Sequence, residues 1–121
     1  MTISGFFGDE GALFFELALI DDEGVEMQMD GMLDTGFSYW LAVNNQDAIA
    51  LNWVRLERQT LLTARGNFDF DIYAGKIMFD GEEHDIPVHV GRGLPEILLG
   101  RQWLETKPLF VNKPQRILTL G

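Results

Sequence analysis

Cysteine is absent from the 121 residues of this sequence. That absence excludes a disulfide framework and any thiolate metal site. The chain also lacks an apolar run close to the roughly 18 residues that a membrane-spanning helix requires. Its opening stretch, MTISGFFGDEG, has neither a basic segment nor a long apolar one. We therefore expect no secretory signal, no membrane association and a cytoplasmic location.

Basic residues are missing from the first 54 positions, which contain ten acidic residues. The rest of the chain carries nine residues of each sign, and the net charge is −10. An acidic protein without a basic patch is a poor candidate for nucleic-acid binding. The acidic excess could favour cationic partners, although a solvated acidic face is the commoner meaning of such a bias.

Strand patterns dominate the chain. ALFFELALI (12–20) is apolar, and VEMQMDGML (25–33) alternates between apolar and polar residues. The turn DDEG (21–24) joins the two segments, so they predict a hairpin. Residues 58–90 predict three further strands with turns at ARGN and DGEE, and residues 116–120 predict a final strand. The inward face of the second segment is predicted to consist of Val25, Met27, Met29, Gly31 and Leu33.

Helical patterns are short. Residues 44–53 predict one helix that Asn44 or Asn45 would cap, and residues 101–107 predict one or two helical turns closed by Pro108. The length fits a single hydrophobic core. The sequence therefore predicts one all-β domain over residues 1–121 with one or two short helices.

The tripeptide Asp34-Thr35-Gly36 directly follows the alternating strand. Taken alone, such a triplet is more often a turn than a catalytic motif. Its context is more informative, because Ser38 adds a hydroxyl group and a later apolar run, EILLGRQWL, contains Gly100 just before a helix. A glycine there permits close backbone approach, as where two chain segments cross beside a carboxylate. Between the two motifs lies a hairpin tip, TARGN (63–67), that could cover a groove.

This combination resembles the retropepsin-like aspartic proteases, the single-domain relatives of the pepsins that include the retroviral proteases. It is most similar to the small bacterial members, and the resemblance covers nearly the whole chain. It implies a closed acid-protease barrel in which the aspartate of D-T-G is catalytic, the threonine bonds across to the partner's loop, and an apolar-apolar-glycine strand braces that loop. The implied catalytic residue is Asp34, the implied supporting residues are Thr35, Gly36, Ser38, Leu98, Leu99 and Gly100, and the implied substrate contacts are Phe37 and, at the flap, Ala64, Arg65 and Gly66.

Peptide hydrolysis by this route needs two carboxylates that share one proton around a water molecule. D-T-G occurs once in the sequence, so one chain supplies half a site. A homodimer would have to bring Asp34 beside its symmetry mate, with a peptide or protein as substrate and no cofactor or metal. RILTLG ends the chain, so we expect an unpaired strand edge there that seeks a partner. The resemblance implies that residues 116–121 interleave with those of the second subunit.

Three positions depart from the family's pattern. Phe37 stands where a small residue is usual, so its ring either narrows a subsite or turns into the core. Ser38 replaces the acidic residue that pairs, in the retroviral enzymes, with the arginine matching Arg101, although it resembles the serine of the pepsin pattern. Gln102 replaces the usual Asn or Asp. The alternative hypothesis is a non-catalytic dimeric module of the same fold that binds extended peptide as an added strand.

Other chemistry-bearing residues favour simpler interpretations. Asp69 and Asp71 share one strand face and could bind a metal, but a solvated strand face is the better interpretation. EEHD (82–85) could hold a metal through His84, but its place after DG predicts a surface turn. His89 is either outward-facing or a satisfied core residue. Neither histidine lies beside a serine or cysteine motif, so a hydrolase triad is unsupported.

Overall fold

The computed structural model describes residues 2–63 and 66–121, and Thr63 by its backbone alone. The described helices are α1 (Asn45–Ala50) and two short 3₁₀ helices, Asp9–Gly11 and Arg101–Glu105. No helix in these ranges is long and apolar enough to cross a bilayer. The strands are β1 (Ile3–Ser4), β2 (Phe6–Phe7), β3 (Leu13–Ile20), β4 (Glu26–Asp34), β5 (Leu41–Asn44), β6 (Val54–Thr63), β7 (Gly66–Phe79), β8 (Glu82–Gly91), β9 (Ile97–Gly100), β10 (Leu109–Asn112) and β11 (Ile117–Leu120).

The larger sheet closes into a barrel, which confirms the predicted all-β architecture. Its strand order is β2-β3-β4-β9-β5-β8-β7-β6, and β3 also pairs with β7 through Ala18–Met78 and Leu19–Ile77. The closed ring consists of β3, β4, β9, β5, β8 and β7, and the two terminal strands, β2 and β6, each pair with one neighbour. The interior is filled by apolar side chains that are almost fully buried, among them Phe15, Leu19, Leu41, Ile77, Phe79, Leu99 and Trp103.

The first predicted hairpin is present as β3 and β4. From Met27 onward the buried and exposed residues alternate as expected, with Gly31 and Leu33 buried against the core. Val25 departs from the prediction, because it precedes β4 and its side chain is 60% exposed. Periodicity identified the inward face correctly, but the second strand begins one residue later than the apolar pattern suggests.

Asn44 occupies the N-cap position of α1, as the sequence indicated, but its side chain does not cap the helix. The amide instead bonds both backbone groups of Leu94, donating to its carbonyl oxygen at 2.6 Å and accepting from its N–H at 2.8 Å. The side chain of Asn44 therefore fastens the loop that leads into β9. The helix itself ends at Ala50, earlier than the predicted residue 53.

The C-terminal strand has no unpaired edge, so the expectation for residues 116–121 is wrong on this point. In the three-stranded sheet the order is β1-β11-β10, so β11 lies in the middle. Leu120 has Ile3 as its partner on one side and Leu109 on the other. Leu118 and Leu120 are buried, so deleting this strand would open the core rather than simply release a second subunit.

The turn between β7 and β8 also corrects the prediction for EEHD. Asp80 and Gly81 have φ values of 55° and 72°, the left-handed pair of a tight hairpin turn. β8 begins directly afterwards at Glu82, so these residues are strand rather than turn. His84 is half-buried, with its ring centroid 5.0 Å from that of Trp103. The histidine therefore packs on the core instead of lying in a surface loop.

Asp80 also forms a buried ion pair that ties this turn to the segment after the second 3₁₀ helix. Its Oδ2 lies 2.6 Å from Nζ of Lys107, and the two side chains are 2% and 15% exposed. A buried charge without its partner is strongly unfavourable, because the desolvation cost remains when the attraction is lost.

We expect Lys107→Met to lower the free energy of unfolding by about 3–5 kcal/mol, because it leaves the Asp80 carboxylate buried and unpaired. The double variant Asp80→Asn/Lys107→Met should recover most of that loss, since asparagine tolerates the left-handed backbone and carries no charge. Urea denaturation of both variants measures the difference. Equal losses in the single and double variants would contradict a role for the charge.

Candidate active site

Asp34 lies at a crossing of two chain segments. It is the last residue of β4, which pairs in parallel with β9 so that Asp34 is opposite Gly100. β9 also pairs with β5, where Leu99 is opposite Leu41. The strand β9 is therefore inserted between the two strands that flank residues 34–40, which we call the Asp34 loop. This topology holds both ends of the loop in the barrel wall.

Gly100 is glycine for reasons of space. A Cβ atom at this position would lie 1.8 Å from the carbonyl oxygen of Tyr39 and 2.9 Å from the Phe37 ring. Its φ of −82° and ψ of 170° are available to any residue, so backbone conformation does not explain the glycine. The N–H of Gly100 donates to the carbonyl oxygen of Trp40 at 3.0 Å. The close backbone approach predicted from the sequence is confirmed.

The other two residues of this strand motif differ in their burial. Leu99 is fully buried in the core, whereas Leu98 is half-buried. Both pair with β4 at the residues just before Asp34, Leu98 with Met32 and Leu99 with Leu33. The strand that the sequence singled out therefore lies directly beside the end of β4 and supports it.

The Asp34 side chain is oriented by its own turn. Its Oδ1 accepts a hydrogen bond from the N–H of Gly36 at 2.9 Å, and its carbonyl oxygen accepts one from the N–H of Phe37 at 3.1 Å. The carboxylate is half-buried, while Thr35, Gly36 and Ser38 are exposed. The arrangement holds a carboxylate in a defined direction at a surface that another molecule can reach.

The start of the second 3₁₀ helix braces the same loop. The N–H of Arg101 donates to the carbonyl oxygen of Phe37 at 2.9 Å, and the indole N–H of Trp103 donates to that of Trp40 at 2.8 Å. The guanidinium of Arg101 reaches the carbonyl oxygen of Thr35 at 3.4 Å. The Arg101 side chain thus contacts the loop at the backbone oxygen of Thr35. Ser38 has no carboxylate with which Arg101 could form an ion pair.

Phe37 belongs to an aromatic cluster that consists of Phe37, Tyr39, Phe70 and His89. The His89 ring stacks on Tyr39 with a centroid distance of 4.2 Å and meets Phe37 edge-on at 5.4 Å. Phe70 completes the cluster at 5.9 Å from His89. Phe37 is half-buried. The ring packs against this cluster but keeps part of its surface exposed, so it is not turned fully into the core.

His89 is a core residue, 3% exposed, and its Nε2 lies 2.8 Å from Oε1 of Gln59. The Nδ1 atom is buried without a hydrogen-bond partner among the described residues. Burial lowers the pKa of His89 from its ordinary 6.5 to about 4. The histidine is therefore neutral in the folded protein over most of the pH range.

We expect a stability loss in acid that depends on His89. Its folded-state pKa is depressed, so the unfolded chain binds the proton more readily as the pH falls below about 6.5. The loss in the free energy of unfolding is nearly complete at pH 4 and amounts to about 3 kcal/mol. Urea denaturation across this range should show the loss in the unaltered protein and a flatter curve in His89→Phe. Parallel curves for the two proteins would contradict it.

The long hairpin formed by β6 and β7 is the hairpin whose tip, according to the sequence prediction, could cover a groove. Gly66 begins β7 with a φ of 112°, and apart from its chain neighbours no described residue has an atom within 4 Å of a Cβ placed there. Ala64 and Arg65, the other predicted tip residues, lie outside the described residues. Near the tip, Leu62 is 84% exposed and Phe68 is 46% exposed. Apolar side chains are thus available at this end of the hairpin for contact with another molecule.

Asp69 and Asp71 have partners on the hairpin. Asp69 accepts a hydrogen bond from the Thr60 hydroxyl at 2.7 Å, and Asp71 forms ion pairs with Arg55 at 3.1 Å and Arg58 at 3.5 Å. Within the described ranges, no group of three or more acidic or histidine side chains is placed to hold a metal ion. The two aspartates therefore bind side chains of the hairpin itself.

The sequence did not indicate Gln59 or Tyr39 as part of the site. Gln59 comes from β6 and Tyr39 from the Asp34 loop, and they meet at His89 on β8. The available signal was the position of His89 in an apolar strand between Val88 and Val90. That pattern predicts burial but names no partner, because the partners come from distant segments.

No family model matches the chain, and no curated protein matches its sequence significantly. A crystal structure of a retropepsin-like aspartic protease from Rickettsia conorii matches with a TM-score of 0.65 and 20% identity, over 99% of this chain and 89% of that one. EIAV protease complexed with the inhibitor HBY-793 matches with a TM-score of 0.62 and 17% identity, over 82% of this chain and 90% of that one. The chain therefore has a retropepsin-like fold.

Proposed function

We propose that this chain is an aspartic endopeptidase in which Asp34 from each of two subunits forms the catalytic dyad. One observation carries the proposal: Asp34 ends β4 where β9 crosses, and its carboxylate is oriented by the N–H of Gly36 at a reachable surface. The fold likeness adds support by analogy, since one fold hosts many functions. Residues 1–121 would form one domain of this type, with the cytoplasm as its predicted location.

The proposed reaction needs a second carboxylate close to the first. One carboxylate takes a proton from water while the other protonates the scissile carbonyl oxygen. The chain has a single D-T-G motif, so the second carboxylate would come from another copy of the chain. Thr35 and Gly36 are exposed, which leaves this loop free for contact with the other subunit.

The three-stranded sheet offers a surface for that second subunit. β11 itself is enclosed, but two apolar side chains of this sheet are uncovered, one on each face: Phe110 is 53% exposed and Val111 is 45% exposed. Both lie on β10, an edge strand. Burying such side chains is favourable by about 25 cal/mol per Å². We propose that β10, rather than the edge of β11, contributes to the interface.

The substrate would be an extended peptide held between the long hairpin and the Asp34 loop. The exposed Leu62 and Phe68 would face apolar side chains of the peptide. Phe37 is part of the aromatic cluster, so its ring is anchored against His89 and Tyr39. The alternative, a non-catalytic peptide-binding module, rests on Phe37 and on the ion pair that Ser38 cannot form with Arg101, and a cleavage assay distinguishes it from the proposed enzyme.

The proposal is tested by digesting a diverse peptide library at several pH values and several protein concentrations. Two carboxylates that share one proton predict a bell-shaped rate profile with an acidic to mildly acidic optimum. Circular dichroism at each pH separates loss of activity from loss of folding. A rate that rises steadily into alkaline pH would contradict the carboxylate mechanism.

The dimer predicts that activity per mole rises with protein concentration until assembly is complete. Phe110→Lys should shift that rise to higher concentration, measured by light scattering and by cleavage in the same samples. Ile49→Lys is the matched control, since Ile49 is also apolar and 64% exposed but lies on α1. Full activity from a protein that is monomeric at all concentrations would overturn the half-site argument. Peptide binding without cleavage would favour the non-catalytic alternative.

A further inference from the structure

His89 stands between two parts of the molecule that the proposed reaction would use together. Phe37 and Tyr39 belong to the Asp34 loop, while Gln59 and Phe70 belong to the two strands of the long hairpin. We propose that His89 is a positioning residue that couples the long hairpin to the Asp34 loop. Only the kinetic consequence of this coupling rests on the proposed function.

On the loop side, the contact leads to the carboxylate in few steps. The His89 ring meets Tyr39 face to face and Phe37 edge to face, with interplanar angles of 26° and 86°. The N–H of Phe37 donates to the carbonyl oxygen of Asp34, and its carbonyl oxygen accepts from the N–H of Arg101. A shift of the Phe37 ring therefore acts on the backbone turn that orients the Asp34 side chain.

On the hairpin side, Gln59 makes the link directional. Its Oε1 is an acceptor, so the Nε2 of His89 at 2.8 Å must carry the hydrogen. The Nε2 of Gln59 lies 3.5 Å from the Tyr39 hydroxyl, so the one Gln59 amide contacts both the histidine and the Asp34 loop. These contacts select one tautomer of His89 and leave Nδ1 unprotonated.

A protonated His89 would not fit this cluster. Of the four side chains against the ring, only Tyr39 can titrate, and none carries a negative charge. The strand neighbours of His89, Ala42 on β5 and Ile72 on β7, cannot titrate either. A proton on Nδ1 would meet no acceptor among the described residues, so charging the ring disfavours its contacts and uncouples hairpin from loop.

The coupling is tested by amide hydrogen exchange measured by NMR in the full chain. Gln59→Leu removes the acceptor for His89 at nearly constant volume. It should speed exchange at the Gly36 and Phe37 amides about tenfold, the factor that corresponds to one buried hydrogen bond. Thr60→Val is the matched control, because it removes the bond to Asp69 on the same hairpin. The control should leave the Asp34 loop unchanged.

Coupling is reciprocal, so it can also be examined from the loop. Tyr39→Phe removes only the hydroxyl group and should speed exchange at the Gln59 and Phe70 amides. In the unaltered protein, the protection of the Gly36 and Phe37 amides, taken relative to their intrinsic exchange rates at each pH, should follow the same pH curve as the His89 ring resonances. In His89→Phe that pH dependence should be absent.

Unchanged loop exchange in Gln59→Leu, or an equal change in Thr60→Val, would overturn the inference. If peptide cleavage is present, Gln59→Leu should lower kcat several-fold and leave KM nearly unchanged, as expected when the reacting group is less well positioned. If cleavage is absent while the exchange effects are found, the proposed function fails and the coupling stands. If cleavage is present without the exchange effects, the coupling fails and the proposed function stands.

Discussion

Replacing Asp34 by asparagine should reduce peptide cleavage by on the order of 10⁴-fold, the upper end of what general acid–base catalysis contributes. Asparagine has nearly the same shape, and its side-chain oxygen can still accept the hydrogen bond from the N–H of Gly36. It cannot share a proton with a second carboxylate. The structure should therefore survive while the chemistry is lost, as measured by initial rates on a peptide that the unaltered protein cleaves.

Asp30→Asn is the matched control for this experiment. Asp30 lies on the same strand as Asp34, is exposed, and has no place in the proposed site. The control should keep the full rate, and both variants should unfold at similar urea concentrations. Cleavage that persists in Asp34→Asn at the level of the control would exclude the aspartic mechanism.

Mixing the two proteins extends the test to the dimer. If each site takes Asp34 from two subunits, a heterodimer of unaltered and Asp34→Asn chains is inactive. An excess of the variant should then lower the measured activity below the value expected from the amount of unaltered protein in the mixture. Activity that is simply proportional to the unaltered protein would indicate a site complete within one chain.

Substituting alanine at Gly100 should destabilise the fold by more than about 3 kcal/mol, beyond the usual range for overpacked positions. The added methyl group would lie 1.8 Å from the backbone oxygen of Tyr39, and backbone cannot move aside as a flexible side chain can. Domains of this size are stable by only about 5–15 kcal/mol, so a loss of this size is a large part of the total and the variant should unfold at a much lower urea concentration. Urea denaturation and circular dichroism measure the effect.

Gly93→Ala separates this clash from the ordinary cost of replacing a glycine. Gly93 has a φ of 68°, but in the described part of the chain no residue beyond its two neighbours has an atom within 4 Å of an added Cβ. Its replacement should cost about 1 kcal/mol, from backbone conformation alone. A Gly100→Ala variant as stable as Gly93→Ala would mean that the crossing of β9 and the Asp34 loop is not as close as described.

Local patterns in the sequence predicted the strands of the barrel because alternation reports which face of a strand is buried. Met27, Met29 and Leu33 show this, and the two-residue turn at Asp80–Gly81 follows from its residue types. The shortest strands could not be predicted in this way, because β1 and β2 have two residues each and alternation cannot appear over two residues. Their presence depends on partners that lie far along the chain.

The terminal strand shows where local reasoning misled. RILTL correctly predicts a strand, and nothing near it in the sequence supplies a neighbour for either edge. In the structure the neighbours come from β1, more than a hundred residues earlier, and from β10 across a short turn. Strand pairing is decided by the whole topology, so an edge cannot be called free from its position at the end of a sequence.

By itself the sequence determined the all-β class and the D-T-G turn at the end of a strand, because both follow from residue type and local spacing. It also placed at position 100 a glycine that permits close backbone approach, whereas the contact with Tyr39 that requires a glycine there is seen only in the structure. Only the tertiary structure decided that Phe37 packs on His89, that Gln59 reaches the Asp34 loop, and that β11 is enclosed. Those contacts join segments separated by tens of residues. Their formation depends on how the closed barrel brings distant strands together, which no local pattern encodes.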